Sequence, residues 1–263
     1  MKFTLEKMHT KHLDTVQYFL TTETENTCLN DYIGQEIQLN WTGVITCRTC
    51  QKRTKKSFGE GFCFSCFSTA AEASPCILHP ELCEAHLGKG RDIEYELKNH
   101  NQPHYVYLAA TDIVKVGVTR STQIPTRWID QGAGKAILLA EIPNRYLAGV
   151  IEVALKDFFA DKTNWQNMLR NMQDETIDLI EEKWQVCDEL PADLAQYWLE
   201  NDEILTFNYP VMNYPSKVQS MTFDKEACIS GKLSGIRGQY LYFDDHKVIN
   251  IRRHTGYEIE FNA

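Results

Sequence analysis

Hydrophobic and polar positions alternate most regularly over 36–45, where Ile37, Leu39 and Trp41 are separated by Gln38 and Asn40. Successive side chains of a strand point to opposite faces, so this run predicts a strand buried on one face only. A second β-rich region begins at His104, where His-Tyr-Val-Tyr-Leu-Ala-Ala and Ile-Val-Lys-Val-Gly-Val-Thr flank the pair Thr111-Asp112. Two such runs joined by so short a link predict a hairpin. Pro125 then opens Thr-Arg-Trp-Ile-Asp-Gln, a short helix with proline in its first turn, and 135–142 reads as a third strand. From 145 to 159 the period lengthens. Leu147, Val150, Ile151, Ala154, Leu155 and Phe158 recur at steps of three and four, as one face of an amphipathic helix requires. Two acidic helices are expected at 164–185 and 191–201. The tail from Thr206 is strand-rich again, with turn signals at Asn213, Gly235, Gly238 and Asp244-Asp245. Residues 67–103 show no period, and Pro75, Pro80, Gly88, Gly90 and Pro103 interrupt them, which predicts a connector ordered by something other than a hydrophobic core.

The elements predict an α+β protein in five segments: a β-rich N-terminal segment at 1–45, a metal-binding region and connector at 46–103, an α/β core at 104–170, acidic helices at 171–205 and a β-rich C-terminal segment at 206–263. At 263 residues with 43% hydrophobic composition, the chain is long enough for a proper core. The start, MKFTLEKMHTKHLD, is charged and lacks an apolar stretch, so no signal peptide is expected. No apolar run approaches the length of a membrane span, and the expected setting is a reducing cytoplasm without membrane contact. The net charge of -9 argues against nucleic acid as a partner only until it is located. Residues 170–203 hold eleven Asp or Glu and two basic residues, so the rest of the chain is neutral. An acidic segment leaves room for a basic groove elsewhere, and 170–203 is itself a candidate docking face for a protein partner.

Nine cysteines form an odd set, and four of them make two Cys-x-x-Cys pairs, Cys47 with Cys50 and Cys63 with Cys66. Each pair can aim two thiolates at one ion from a tight turn, and two pairs complete a tetrahedron of soft ligands that suits zinc. Four sulfurs leave no open position, so the zinc is expected to be structural. The competing readings are two redox motifs, four unrelated thiols or an iron–sulfur cluster. Around these cysteines lie Arg48, Lys52, Arg53, Lys55 and Lys56, with Phe58, Phe62, Phe64 and Phe67 interleaved or adjacent and Glu60 as the single acid. Cations beside exposed rings suit phosphate contact and base stacking; the alternative is that the rings form the core of a small ribbon and the cations keep it soluble. A second set, Cys76, His79, Cys83 and His86, has ligand-like spacing inside the connector, where a second zinc would substitute for a missing core. Cys28, Cys187 and Cys228 are isolated and read as small buried hydrophobes.

Tyr105-Val-Tyr107, Lys115-Val-Gly117, Arg127 and Glu152 fall in order on strand, strand, helix and helix. This layout resembles the GIY-YIG nuclease core, in which a two-motif hairpin precedes a helical arginine and a later glutamate; the likeness covers about 104–170. Over most of its length the chain more closely resembles an uncharacterised bacterial family that joins a zinc ribbon to such a core. His-Tyr-Val-Tyr-Leu-Ala, Lys-Val-Gly-Val-Thr-Arg, Arg127-Trp-Ile-Asp-Gln-Gly-Ala, Gly-Gln-Tyr-Leu and Arg-His-Thr-Gly-Tyr carry that likeness. The resemblance implies a zinc-containing protein acting on nucleic acid. Tyr107 would work near the nucleophile as general base, Arg127 would steady the phosphate, and Glu152 would hold a Mg²⁺ or Mn²⁺ ion through a hard oxygen. Lys115 stands where the active nucleases carry the tyrosine that opens the second motif. A lysine can stabilise phosphate charge, but it replaces a phenol in acid–base work only with a large pKa shift.

Each of these residues also has a plain structural reading. Tyr105 and Tyr107 share a strand face and can simply pack, Gly117 can relieve a close approach, and Arg127 and Glu152 can pair with each other or with Asp130. Three functions therefore stand side by side: a metal-dependent endonuclease, a nucleic-acid-binding protein that has lost strong catalysis, and a protein-interaction module with purely architectural zinc.

Overall fold

Strand Glu36–Ile45 forms where the alternation predicts it, with Ile37, Leu39 and Ile45 buried. In the computed structural model, which describes residues 1–22, 25–159, 164–172 and 174–263, it lies within a seven-stranded sheet. The order is Lys2–Thr4, Tyr257–Asn262, Glu36–Ile45, Cys228–Arg237, Tyr240–Phe243, Lys247–Asn250 and Gln219–Met221, antiparallel except for the last pair. Strands from both ends of the chain thus share one sheet: Lys2 pairs with Glu260, Phe3 with Ile259 and Thr4 with Glu258. A three-stranded sheet, His9–Lys11, Gln17–Thr21 and Asn26–Cys28, accompanies it. Of the predicted turn glycines, Gly238 takes the left-handed conformation (φ +60°) between two strands. Gly235 instead lies inside strand Cys228–Arg237, where a Cβ would come within 2.7 Å of the Val211 Cα. A close backbone approach, not a turn, demands glycine there.

The chain divides into two units. The first comprises Met1–Ser68, Ile129–Gly132 and Phe207–Ala263; the second comprises Thr69–Trp128 and Ala133–Thr206. The cysteine-rich region is therefore split after Ser68, the Cys-x-x-Cys pairs going with the terminal sheet and the connector with the hairpin. The reason is local. The turn Arg253-His254-Thr255-Gly256-Tyr257 buttresses the paired cysteines: Thr46 N–H donates to the Gly256 carbonyl at 2.8 Å, and Arg252 pairs with Glu60 at 2.8 Å. Gly256 sits at φ +89° with the Thr46 carbonyl where a Cβ would be, at 2.4 Å.

In the second unit the hairpin joins His104–Ala110 to Val114–Arg120, one residue later than expected at its second strand. The sheet order is Val114–Arg120, His104–Ala110, Lys135–Ile142 and Ile204–Thr206, antiparallel throughout. Helix Arg145–Ala154 starts at Asn144, whose side chain accepts from the Leu147 N–H at 3.0 Å. Ala148, Ile151 and Leu155 pack on Val106, Leu108 and Val116. Because the helix ends at Ala154, the helical period no longer applies beyond it: Phe158 is exposed and Phe159 is buried instead.

The acidic region does not form long helices. Among the described residues there only Trp165–Leu169 and Leu179–Gln185 are α-helical, with Asn171 between them in a left-handed conformation and Asp178 capping the Ile180 and Glu181 N–H groups. Beyond Pro191 the expected helix at 191–201 reduces to a single 3-10 turn, Ala195–Tyr197, followed by a bridge between Trp198 and Ala140. Repulsion among closely spaced carboxylates opposes helix propagation here. Cys28 and Cys187 are half-buried and Cys228 is exposed, so the reading of all three as buried hydrophobes is corrected; Cys228 starts an edge-exposed stretch and accepts from Gln38 Nε2. No helix among the described residues is long and apolar enough to cross a membrane.

Candidate metal centre and charged core

Two short turns bring Cys47, Cys50, Cys63 and Cys66 together, with their four sulfurs all within 4.8 Å of one another. The first turn is closed by an N–H bond from Gln51 to the Cys47 carbonyl and by Gln51 itself in the left-handed region at φ +58°. The second is the start of helix Phe64–Thr69, with Cys63 just before it and Cys66 inside it. Bridges between Thr46 and Arg53 and between Phe58 and Phe62 tie each turn to a small hairpin. The Cys63 N–H points at the Cys47 sulfur at 3.2 Å. Burial works against the Cys47 thiolate, but the N–H groups of Cys50, Cys63 and Thr49 outweigh it and draw its pKa down to about 6. Cys66 moves the other way, to about 12, chiefly through its contact with the Cys63 sulfur. Sulfurs crowded in this way cannot all ionise without a cation between them. The donor set can hold a zinc ion in a closed, four-sulfur site.

The four phenylalanines around the cysteines divide by burial. Phe62 is buried and Phe58 half-buried, so these two are the ribbon's own core. Phe64 is 66% exposed and Phe67 is also exposed, although both rings touch Phe58, at 5.4 and 6.3 Å. Arg48, Lys52, Arg53, Lys55 and Lys56 are all exposed, with Arg48 against the Phe62 ring and Lys56 against the Phe58 ring. Glu60, the only acid, is engaged by Arg252.

In the second unit the register sets Tyr107 opposite Gly117 and Lys115 opposite Ala109. Val106, Leu108 and Val116 face helix Arg145–Ala154, so Tyr107, Lys115 and Gly117 face the other way. Tyr107 is fully buried with its ring edge-on to Trp128 at 5.7 Å, and a Cβ on Gly117 would stand 2.7 Å from the Tyr107 hydroxyl oxygen. The packing reading of Tyr107 and the close-approach reading of Gly117 both describe this geometry. Tyr105 is half-buried and lines a cleft of about 250 Å³ with Trp128, Leu138 and Glu141.

Lys115 is only 7% exposed. Burial, helped by the Arg127 charge and opposed by Asp112 and Glu152, lowers its pKa to about 8. Glu152 is half-buried, and burial raises its pKa, with Glu81 adding to the effect and Lys156, Arg145 and Arg127 opposing it. Lys115, Arg127 and Glu152 thus lie close enough to act on one another's charge, while Asp130 is held by Lys7 at 2.9 Å and Gln239 at 2.8 Å in the first unit. Among the described residues no group of three or more metal-ligating side chains includes Glu152, so a hard cation there would depend on water and substrate for its remaining ligands.

The connector brings Cys76 and Cys83 together but not the two histidines paired with them by spacing. His79 is turned out to solvent, 3.4 Å from Glu81, and His86 stacks on Tyr146 at 4.6 Å. In the acidic region Lys183 is fully buried, donating to the Asn201 carbonyl at 2.7 Å between the rings of Trp184 and Trp198. Apart from the adjacent Trp184, its partners lie on the segment around Trp198 and Asn201, and no spacing pattern signals them.

Residues 34–259 match the family model described as "Protein of unknown function (DUF2797)", and the chain belongs to that family. No curated protein and no solved structure matches it.

Proposed function

We propose, for this member of a family whose function is unknown, that the chain is a zinc-containing protein that binds nucleic acid through its ribbon. The observation that carries the reading is the pair of exposed rings, Phe64 and Phe67, set among five exposed cations on a cysteine-clamped turn. A hydrophobic ribbon core would turn those rings inward, and solubility alone would not require them. Stacking of unpaired bases on aromatic faces is sequence-tolerant, and Lys and Arg around the rings would track the phosphates. The acidity of 170–203 does not oppose this, because it belongs to the second unit. The same acidity supports a protein partner at that segment as a separate, subordinate reading.

A second reading, phosphodiester hydrolysis on a GIY-YIG-like core, is favoured by one specific observation. Lys115 occupies the position of the second-motif tyrosine, and burial gives it a pKa of about 8, inside the range in which an amine exchanges protons at neutral pH. The strand order, with His104–Ala110 between Val114–Arg120 and Lys135–Ile142, and the placement of Arg127 and Glu152 on the two following helices support the same core. In that reading Lys115 takes the proton-transfer role that buried Tyr107 is poorly placed for, Arg127 holds the phosphate, and Glu152 carries Mg²⁺ or Mn²⁺.

Fluorescence anisotropy with single- and double-stranded DNA and RNA oligonucleotides over a salt series tests the first reading. Binding should weaken steeply with salt, and Lys55→Glu with Lys56→Glu should weaken it and flatten its salt dependence; binding that ignores both changes would overturn the proposal. Cleavage of the same substrates with Mg²⁺ or Mn²⁺, compared with Arg127→Ala and Glu152→Ala, tests the second. Cleavage that survives both substitutions would place the activity elsewhere.

A further inference from the structure

The connector inverts the usual rule of burial. Between Thr69 and Asp92 it contains no strand and only single 3-10 turns, at Ala71–Ala73, Pro75–Ile77, Pro80–Leu82 and Ala85–Leu87. Its leucines point outward, while Ile77 is half-buried: Leu78 is 83% exposed, and Leu82 and Leu87 are exposed as well. Apart from the small apolar residues Ala71, Pro80 and Ala85, what points inward is polar or ionisable. Cys76 and Cys83 are buried, and so are Glu96 and His100 from helix Ile93–His100. The small apolar cluster here contains only Cys76, Cys83 and Ala85, with Tyr146 at its edge. Such a segment gains little from hydrophobic burial, because its three leucines are in solvent and its buried apolar residues are small.

We infer that Cys76, Cys83, Glu96 and His100 form a second, buried structural zinc site that serves as the core of the connector. One ligand atom from each lies within 4.8 Å of the others. Cys76 Sγ is 3.8 Å from His100 Nδ1, and Glu96 and His100, one helical turn apart, are in direct contact through Glu96 Oε2 and His100 Nδ1. Two sulfurs, one nitrogen and one carboxylate oxygen are all accepted zinc ligands, and four of them close the tetrahedron.

Charge balance supports the assignment. Two thiolates, a carboxylate and a neutral imidazole around Zn²⁺ carry one net negative charge. The Arg145 guanidinium supplies the compensating positive charge: it donates from Nε to the Cys76 carbonyl and from Nη2 to the Ile77 carbonyl, both at 2.9 Å, and its charge acts on both sulfurs. Outer contacts orient the ligands as metal sites require. Ser74 Oγ donates to Glu96 Oε1 at 3.4 Å, and Gly90 lies so close over Glu96 that a Cβ would stand 2.3 Å from the Glu96 Cγ. Gly149 lets helix Arg145–Ala154 press on the Pro80–Glu81 backbone, where a Cβ would be 2.2 Å from the Glu81 nitrogen. Without a cation, two thiols, a carboxyl and an imidazole packed out of water are a costly arrangement.

Elemental analysis of the full chain, produced with zinc supplied, tests the site. Wild type should carry two zinc ions, Cys83→Ser and His100→Ala one each, and the double variant His79→Ala/His86→Ala still two. A wild type with one zinc, or a Cys83→Ser variant that keeps two, would overturn the inference. To separate loss of the site from loss of folding, the wild type is loaded with Co²⁺ and its absorption recorded. Six thiolates in two sites should give about one and a half times the sulfur-to-cobalt charge-transfer intensity of four, with a second set of ligand-field bands at shorter wavelength from the mixed site. A spectrum of a four-thiolate site alone refutes it.

Discussion

The ribbon and the second unit handle ionisable groups in opposite ways. Around Cys47, Cys50, Cys63 and Cys66 the cations are displayed in solvent and three of the four cysteines are half-exposed. In the second unit Lys115, Lys183, Glu96, His100, Cys76 and Cys83 are all buried. Displayed charge acts through its field, which suits attraction of a polyanion. Buried charge is held at a cost and acquires a shifted pKa or a fixed partner, which suits chemistry or a metal. The contrast separates the two regions by how they hold charge, and it can be broken at either end.

Metal removal should have the largest effect. Structural zinc contributes on the order of 10 kcal/mol or more to the folding of small sites. Chelation, or Cys47→Ser with Cys63→Ser, should therefore unfold 46–68, read as loss of hydrogen-exchange protection there. In the cysteine variant the hairpin 104–120 should keep its protection, because it belongs to the other unit. Equal loss in both would show that the two regions do not fold as separate units.

Lys115→Met sharpens the buried side. A lysine whose pKa falls from 10.5 to about 8 on folding destabilises the folded state at neutral pH by about 3 kcal/mol. The sign follows from proton counting: between pH 8 and 10.5 the unfolded chain binds more protons, so wild-type stability rises with pH across that window and the penalty is complete below it. Denaturant titrations should show Lys115→Met more stable than wild type at pH 7 and the gap closing by pH 10.5. Any contribution of Lys115 to nucleic-acid affinity or cleavage should be lost in the same variant. A gap independent of pH would mean that the ammonium is solvated in the native state.

Arg145→Gln should have a smaller and more selective effect. Loss of an outer partner typically weakens a metal site about 10- to 100-fold. Competition with a chromophoric chelator should show that loss for the connector zinc and none for the four-cysteine zinc.

The sequence made the local parts of this molecule legible. One Cys-x-x-Cys pair lies on its own turn and the other at the start of a helix, and the hairpin strands and the helix after Asn144 follow periods that need no knowledge of distant residues. What was hidden depends on contacts across the chain. Spacing joined Cys76 and Cys83 to His79 and His86, but the ligands that face them are Glu96 and His100, positioned by a helix that packs back on the connector. Tyr107 and Lys115 were legible as a series, whereas their burial under Trp128 and beside Arg127 was not, because neither exposure nor pKa has a sequence period. In the acidic region the composition was clear and the helices were not, since carboxylate repulsion and capping by Asn164 and Asp178 cut the pattern into short pieces.

Phe64→Ala gives the finest test of the displayed side. The ring is two-thirds exposed and stands outside the buried core, so truncation should change thermal stability by less than about 0.5 kcal/mol. If bases stack on it, affinity for a single-stranded oligonucleotide should fall by about 1 to 2 kcal/mol, roughly five- to thirtyfold. The slope of affinity against salt should stay the same, because no phosphate contact is removed. Lys55→Glu with Lys56→Glu should do the reverse, flattening the salt dependence while leaving the ring in place. A Phe64→Ala variant that loses stability but not affinity would return the ring to the ribbon's own packing and leave the cations without a nucleic-acid platform to serve.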